Sequence, residues 1–395
     1  MRDGSPRVLR AMNERAALYA LLQSGPLSRI GLERAIGLSK PAAADVLARL
    51  ERDGLVERAG RSTGGGPGPQ AQLWQVNVHT GYAVGVDVTA TAMDAAVADL
   101  GGTVVGTYRT EWPGGADDDP TVPLRAAVGA ALKAGGVPWR DVRHLVVGVP
   151  GSVDPTTGQL EYAPHLPGFT GYGVRARVRA RLRVPVTVEN DVNLVAVDEL
   201  TRGRATGRRS VLLLWMDRGV ASALILDGHL VRGSRGGAGE IDRVPVPGGG
   251  LVRDLVSAAA VATLGAAHAL PGPDAASVVR QAFHAQSGGE AFRAELADRV
   301  TGVLAMTVAA VDPELVVLAG GVGYAGGEAL AGLVSDRLGA VLKQRPAVAA
   351  GTGGVEAVRH GALQAALRQA RESVLGRGAP ATPSTVDSPE GTVAE

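Results

Sequence analysis

Residues Pro26 to Trp74 constrain the fold more than any other stretch, because helix starts, helix stops and strand patterns follow one another there in a restrictive order. Ser28 is placed to cap a helix running to about Ile36, and Gly37-Leu38-Ser39 makes a turn. A second helix is expected from Lys40 to Asp53, with Val46, Leu47 and Leu50 on its buried face, and Gly54 ends it. Leu55-Val56-Glu57-Arg58 reads as a strand, Gly64-Gly65-Gly66-Pro67-Gly68-Pro69 as a hairpin tip, and Gln72 to Val76 as the returning strand. Helix, turn, helix and hairpin in that order make a winged helix-turn-helix, whose second helix enters the major groove of DNA. An amphipathic helix precedes it, from about Arg7 to Gln23, carrying Val8, Leu9, Met12, Ala16, Leu18, Tyr19 and Leu22.

The charge distribution agrees with operator DNA as a partner. Residues 1–80 hold 11 Lys+Arg against 7 Asp+Glu, a net of +4, and the remainder holds 29 against 32 (40 − 11 and 39 − 7), a net of −3. A basic leading segment on an acidic body suits phosphate neutralisation. The excess is small, and 37 of the 40 cations are arginine, which points to a general arginine bias. With 395 residues, two or three domains are expected. The absence of cysteine excludes disulfides, a thiol nucleophile and cysteine-based zinc sites. The first residues, Met1-Arg-Asp-Gly-Ser-Pro, lack the apolar core of a signal peptide. The apolar run Val303 to Leu318 is broken by Asp312-Pro313-Glu314. No membrane partner and a cytoplasmic location are therefore expected.

From Tyr82 onward the pattern changes. Tyr82–Val88, Ala95–Leu100 and Thr103–Tyr108 read as a β-meander with glycine turns. A helix at about Val122–Ala134, strands at His144–Val149, Val186–Glu189, Val211–Trp215, Ala221–Leu226 and Leu315–Leu318, and a helix after Asn190 follow. The rest reads as alanine-rich helix. Strands alternating with helices after a meander imply α/β layers on a mixed sheet. The last twenty residues, Gly376 to Glu395, are rich in Pro, Ser and Thr without periodicity and are expected to be disordered. The reading is a DNA-binding domain over 1–78, an α/β domain over 79–375 and a tail over 376–395.

Three segments of the larger domain invite a chemical reading. Glu189-Asn190-Asp191-Val192-Asn193 lies where a strand gives way to a helix, the place at which α/β proteins set ligands. A carboxylate there accepts a proton from a sugar hydroxyl; equally, Asn190 or Asp191 reads as a plain helix cap. Gly236-Gly237-Ala238-Gly239-Glu240 presents one carboxylate on a flexible turn. Gly148-Val-Pro-Gly-Ser-Val-Asp154 leads to Tyr162-Ala-Pro-His165-Leu-Pro-Gly-Phe169, where His165 and Phe169 either line a polyol pocket or belong to a surface loop shaped by proline and glycine.

In this order and spacing, Gly148-Val-Pro-Gly-Ser-Val-Asp, Leu166-Pro-Gly-Phe, Glu189-Asn-Asp-Val-Asn and Gly237-Ala-Gly-Glu-Ile resemble the ROK family of repressors and sugar kinases, over nearly all of Tyr82 to Leu375. Behind a winged helix, the chain is similar to the family's transcriptional regulators, the xylose repressors among them. The resemblance implies a two-lobed, actin-like (ribonuclease H-like, sugar-kinase-type) α/β fold with sugar and nucleotide meeting in a cleft, and homodimers or homotetramers. It gives the sugar shell as His165, Asn190, Asp191, Glu240 and Arg243, with Asp191 the equivalent of the kinase base. His165 stands where asparagine is usual. Arg243 replaces a histidine that touches both zinc and sugar, so an anionic sugar becomes a candidate ligand, while a local salt bridge in a vestigial pocket is the plainer alternative.

The same resemblance argues for a sensor that is not a kinase and uses no cofactor. The kinases carry Asp-x-Gly-Gly-Thr where this chain has Asp87-Val88-Thr89-Ala90-Thr91, and Gly-Thr-Gly near Met216-Asp217-Arg218-Gly219. Side chains stand where backbone should approach phosphate. Only Ala319-Gly320-Gly321, on the adenosine side, keeps its glycines. Zinc is not expected, because the cysteines of the family's metal site are missing and the loop shortens to Pro247-Gly-Gly-Gly. A bifunctional sugar kinase and regulator is the alternative. For DNA, helix-turn-helix docking assigns Ser39, Lys40, Pro41, Ala42, Ala43 and Asp45 to base edges, with the two alanines on thymine methyls. Arg58 and Arg61 fall on the wing, toward phosphates or the minor groove.

Overall fold

The computed structural model describes residues 6–62, 70–112, 119–161, 163, 166, 169, 173–246, 249–284 and 289–375. The chain divides into two compact units, Met1–Gly81 with Gln369–Glu395, and Tyr82–Arg368. The wing tip 64–69 and the tail 376–395 lie outside the described residues.

The first unit starts with α1 (Pro6–Ser24), β1 (Leu27–Ser28), α2 (Arg29–Ile36) and α3 (Lys40–Arg52), followed by β2 (Val56–Arg61) and β3 (Gln72–Val76). Ser28 caps α2 by accepting from the Gly31 N–H at 3.1 Å, and Gly37 ends it at φ 67°. β3 lies between β1 and β2, antiparallel to both. Ala17, Leu18, Leu21, Leu32, Val46, Leu47, Leu50 and Val56 close the core. Of the apolar residues expected to face that core from α1, Val8, Leu9, Met12 and Tyr19 are exposed; the buried stripe is Ala11, Ala17, Leu18 and Leu21.

The second unit contains the same sheet twice. Its first lobe has β4 (Tyr82–Val88), β5 (Ala92–Asp99), β6 (Val104–Glu111), α4 (Thr121–Ala134), β7 (Val142–Val149), β8 (Ser152–Val153), β9 (Leu160–Glu161), α5 (Val174–Leu182), β10 (Val186–Asn190) and α6 (Asp191–Arg202). The second has β11 (Val211–Met216), β12 (Val220–Leu226), β13 (His229–Val231), α7 (Val252–Val256), α8 (Ala258–Ala267), α9 (Ala275–His284), α10 (Glu290–Val311), β14 (Leu315–Ala319), α11 (Gly320–Val341), β15 (Ala347–Ala350) and α12 (Ala357–Leu375), whose residues from Gln369 onward count with the first unit. The sheets run β10-β7-β4-β5-β6 and β13-β12-β11-β14-β15. In each, three antiparallel strands come first, and two later strands add in parallel beside the first. This duplicated topology is the two-lobed, sugar-kinase-like arrangement that the sequence motifs imply.

Burial on both faces explains the unbroken apolar strands. All of β5 and β14 is buried. Phe169 is fully buried, edge-on to Trp112 at 6.0 Å, inside the core of the first lobe with Leu124, Val128, Val178 and Leu182. Its expected place in a polyol pocket is therefore corrected: burying a side chain of that size contributes about 2–3 kcal/mol, and it faces the packing, not a ligand. α6 carries Val192, Val195 and Ala196 into a further cluster with Val211, Leu213, Ala223 and Ile225 of the second sheet. The helix that begins at the site thus joins both lobes.

Candidate functional site

The second helix of the helix-turn-helix, α3, has Ser39 as its N-cap residue and Pro41 in its first turn. Ser39, Lys40, Pro41 and Asp45 are exposed and Ala42 is half-buried. Ala43 is fully buried in the winged-helix core. Its assignment to a thymine methyl is corrected, since it lies one helical turn before Val46 and Leu47 on the packed face. Ala44, Ala48 and Arg52 are exposed instead and continue the stripe from Pro41 at helical spacing, a signal the sequence already held. Arg58 is paired with Glu51 at 2.8 Å and Arg49 with Glu14 at 2.6 Å. Arg61, at the end of β2, is exposed.

In the second unit, Asn190 is the N-cap of α6: its Oδ1 accepts from the Asn193 N–H at 2.9 Å, and its Nδ2 donates to the Gly151 carbonyl at 3.1 Å. The capping role is real and fixes the next residue, Asp191, at the strand–helix junction. Glu189, only 6% exposed, organises the segment. Its Oε1 accepts from the Asn190 N–H at 3.1 Å and from Asn193 Nδ2 at 3.0 Å, and its Oε2 accepts from Arg232 Nε at 2.6 Å. Arg232 follows β13, so this ion pair ties the second lobe to the first. Sequence reading missed Arg232, whose one signal was a cation just ahead of the glycine turn.

That turn delivers Glu240. Gly236 (φ 78°) and Gly239 (φ 92°) take left-handed conformations, and a Cβ on either would run into the carbonyl of Val153 or Ser222. Asp242 anchors the far side, accepting from the Val220 N–H at 3.1 Å and from Arg253 at 3.2 Å.

Three carboxyls converge electrostatically. Burial, then the charges of Asp87 and Glu240, push Asp191 up to about 7. Burial, then Asp94, push Asp87 up to about 7, with Arg109 and Arg359 offsetting part of it. Burial and Asp242 raise Glu240. Near neutral pH such a pair shares protons instead of holding two full charges. It remains suited to accept hydrogen bonds from hydroxyls. Arg243 is exposed, and the charges raising Asp191 and Glu240 are carboxylates. His165 and residues 247–248 lie outside the described residues.

Both turns compared above with phosphate loops are filled by side-chain oxygens. Thr89 Oγ1 accepts from the N–H groups of Ala92 (3.0 Å) and Thr91 (3.4 Å). Asp217 Oδ1 accepts from the Arg218 N–H at 2.8 Å, and its Oδ2 from the Gly321 N–H at 2.9 Å, at the start of α11. The N–H groups of Thr91, Ala92, Arg218 and Gly321 are thereby engaged within the chain.

A duplicated α/β unit with electrostatically coupled carboxyls at Asp87, Asp191 and Glu240, in a chain that starts with a winged helix, defines a sugar-kinase-like body joined to a DNA-binding module. The chain belongs to the ROK family, which it matches over residues 83–368; residues 12–61 match the MarR family. It is 26% identical over 270 residues to a glucokinase of Halalkalibacterium halodurans, covering 62% of this chain and 81% of the relative. It is 23% identical over 244 residues to a xylose repressor of Caldicellulosiruptor bescii, covering 62% and 61%. The chain thus spans about three fifths of that repressor's length. A crystal structure described as a ROK family transcriptional regulator, homolog of the E. coli MLC protein, matches at TM-score 0.74 and 14% identity over 94% of this chain and 98% of that one, a likeness of fold. A Streptomyces griseus ROK glucokinase in complex with glucose and AMPPNP matches at TM-score 0.60 and 24% identity, over 73% and 100%. The chain therefore has the organisation of a ROK transcriptional regulator with a MarR-type DNA-binding domain. Among the described residues, no helix is long and apolar enough to cross a membrane.

Proposed function

We propose that the protein is a cytoplasmic, sequence-specific transcriptional regulator, a repressor of carbohydrate genes, whose larger unit binds a sugar or sugar derivative without phosphorylating it. The observation that carries the non-catalytic part is the occupation of both turns by Thr89 Oγ1 and Asp217, while Asp191 and Glu240 remain close enough to interact electrostatically. An ATP phosphate at the second turn would meet the negative charge of Asp217, whose carboxylate already holds the Arg218 N–H. Asp191 and Glu240 accept hydroxyls of the sugar, and Asn190 positions the segment. Ser39, Lys40, Pro41, Ala42 and Asp45 read base edges, and Arg61 and Arg58 hold phosphates. For Arg58 that requires release of Glu51.

The acting species is a homodimer or homotetramer presenting two winged helices to half-sites one helical turn apart. Sugar changes the lobe angle by its differential affinity for two arrangements and so alters DNA binding. α6 is suited to carry the change: it begins at Asp191 and ends near Glu199, whose buried carboxylate accepts from the N–H groups of Thr352 (2.6 Å) and Gly353 (3.2 Å), between β15 and α12. Thermal shifts and ADP release with a panel of sugars test the reading. A sugar that raises Tm without ADP release is expected. Sugar-dependent ADP release contradicts it, and no sugar-induced shift leaves a DNA binder with a dead pocket.

A further inference from the structure

Between Glu161 and Glu189 the chain has no acidic residue and five arginines, Arg175, Arg177, Arg179, Arg181 and Arg183, at alternate positions. α5 turns that alternation into a surface. Val174, Val178 and Leu182 recur every four residues and pack into the core of the first lobe, while all five arginines are exposed. At 100° per residue, Arg175 and Arg179 line one flank of the helix and Arg177 and Arg181 the other, and Arg183 follows the Arg175–Arg179 row as the left-handed C-cap (φ 58°). The crest between them is Ala176 and Ala180, small enough for a flat or ridged partner to come close. The row from Arg175 to Arg183 extends about 12 Å at 1.5 Å per residue.

One flank is already employed within the lobe. Arg181 pairs with Asp119 at 3.0 Å and donates to Thr121 Oγ1 at 3.2 Å, and Arg125 donates to the Arg181 carbonyl while stacking on Trp139 at 4.8 Å. Asp119 is held below the usual carboxylate range by its hydrogen bonds from Thr121 and Arg181. The other flank has no carboxylate on its own helix. Its side chains stand on a rigid base of buried valine and leucine, so ordering a partner against them costs little backbone entropy.

We infer that the Arg175–Arg179–Arg183 flank of α5 is a second, sequence-independent nucleic-acid surface, binding the phosphodiester backbone of duplex DNA. The inference rests on the reading of this chain as a DNA-binding regulator. Duplex DNA is the occupant whose chemistry fits: a regular array of single negative charges meets a row of guanidiniums. The role is to add phosphate contacts beyond those of the winged helix, raising affinity and its salt dependence without reading bases.

The test uses the full chain and a mixed-sequence duplex of roughly 60 base pairs, titrated between about 50 and 200 mM salt. The variants are Arg175→Gln/Arg179→Gln/Arg183→Gln and the same three positions changed to Lys. Neither touches the buried face of α5, and unchanged thermal melting verifies the fold. Each lost phosphate contact lowers the slope of log K against log salt by about 0.9. The Gln variant is therefore expected to lose about 2 to 3 from the slope per protomer and at least about 10-fold in affinity at 100 mM salt, while the Lys variant stays close to wild type. A Gln variant with the wild-type slope overturns the α5 surface and leaves the regulator reading intact. A wild type that binds no duplex at all overturns both.

Discussion

Replacing Asp191 by Asn tests the electrostatics of the cleft most sharply. The Asp191 carboxyl sits at about 7 against an ordinary 3.8, through burial, Asp87 and Glu240. At 1.36 kcal/mol per pKa unit, that disfavours its ionised form in the folded state by about 4 kcal/mol. Repulsion shared with Asp87 and solvent at a half-buried group reduce the usable part to about 2 kcal/mol. The sign follows from proton binding: between 3.8 and 7 the folded state holds more protons than the unfolded state, so this group's contribution falls as pH rises. Asn keeps the acceptor for the Val192 N–H, which Asp191 Oδ1 takes at 2.8 Å. Asp191→Asn should therefore match wild type near pH 4 and melt about 4 °C higher at pH 8, at roughly 2 °C per kcal/mol for a unit of this size. Circular dichroism melts across that range measure it. An increment equal at both ends, or a destabilisation at pH 8, refutes the proposed carboxyl cluster.

Other consequences are open to measurement. A sugar hydroxyl donating to Asp191 favours its ionised form, so binding should release protons near pH 7, read by calorimetry in buffers of different ionisation enthalpy; no buffer dependence would speak against that contact. Glu189→Ala leaves Arg232, the Asn190 N–H and the Asn193 amide without their acceptor and should cost about 2–4 kcal/mol, lowering Tm by several degrees; a shift below 1 °C would deny it an organising role. Lys40→Ala should weaken specific DNA binding more than non-specific binding, whereas Arg61→Ala weakens both alike; equal effects would remove Lys40 from base reading. Arg243→Ala should change the preference between neutral and anionic sugars, and an unchanged preference would leave Arg243 a surface residue.

Where a signal was local, the sequence carried it. Ser28 and Gly37 bound a helix through cap chemistry, and the alternation of Val46, Leu47 and Leu50 oriented the next one. The meander and the strand–helix junction at Asn190 are likewise written in short-range pattern. What depends on distant partners was not legible. Ala43 falls one turn before Val46 and Leu47, so its inward face was open to helical spacing, but Phe169 meets Trp112 only across the folded lobe. The bond from Arg232 to Glu189 joins residues 43 apart. The two glycine-poor turns could be read as damaged, but that Asp217 reaches over to the Gly321 N–H required the packing of β11 beside β14.

DNA binding by this chain is expected to answer to a sugar. Fluorescence anisotropy of the full-length protein on the DNA upstream of its own gene, with competitor DNA at physiological salt, tests it directly when repeated across neutral sugars, sugar acids and sugar phosphates. Tight, specific binding that one of these ligands abolishes or strengthens is the expected result. Specific binding that none of them alters would contradict it.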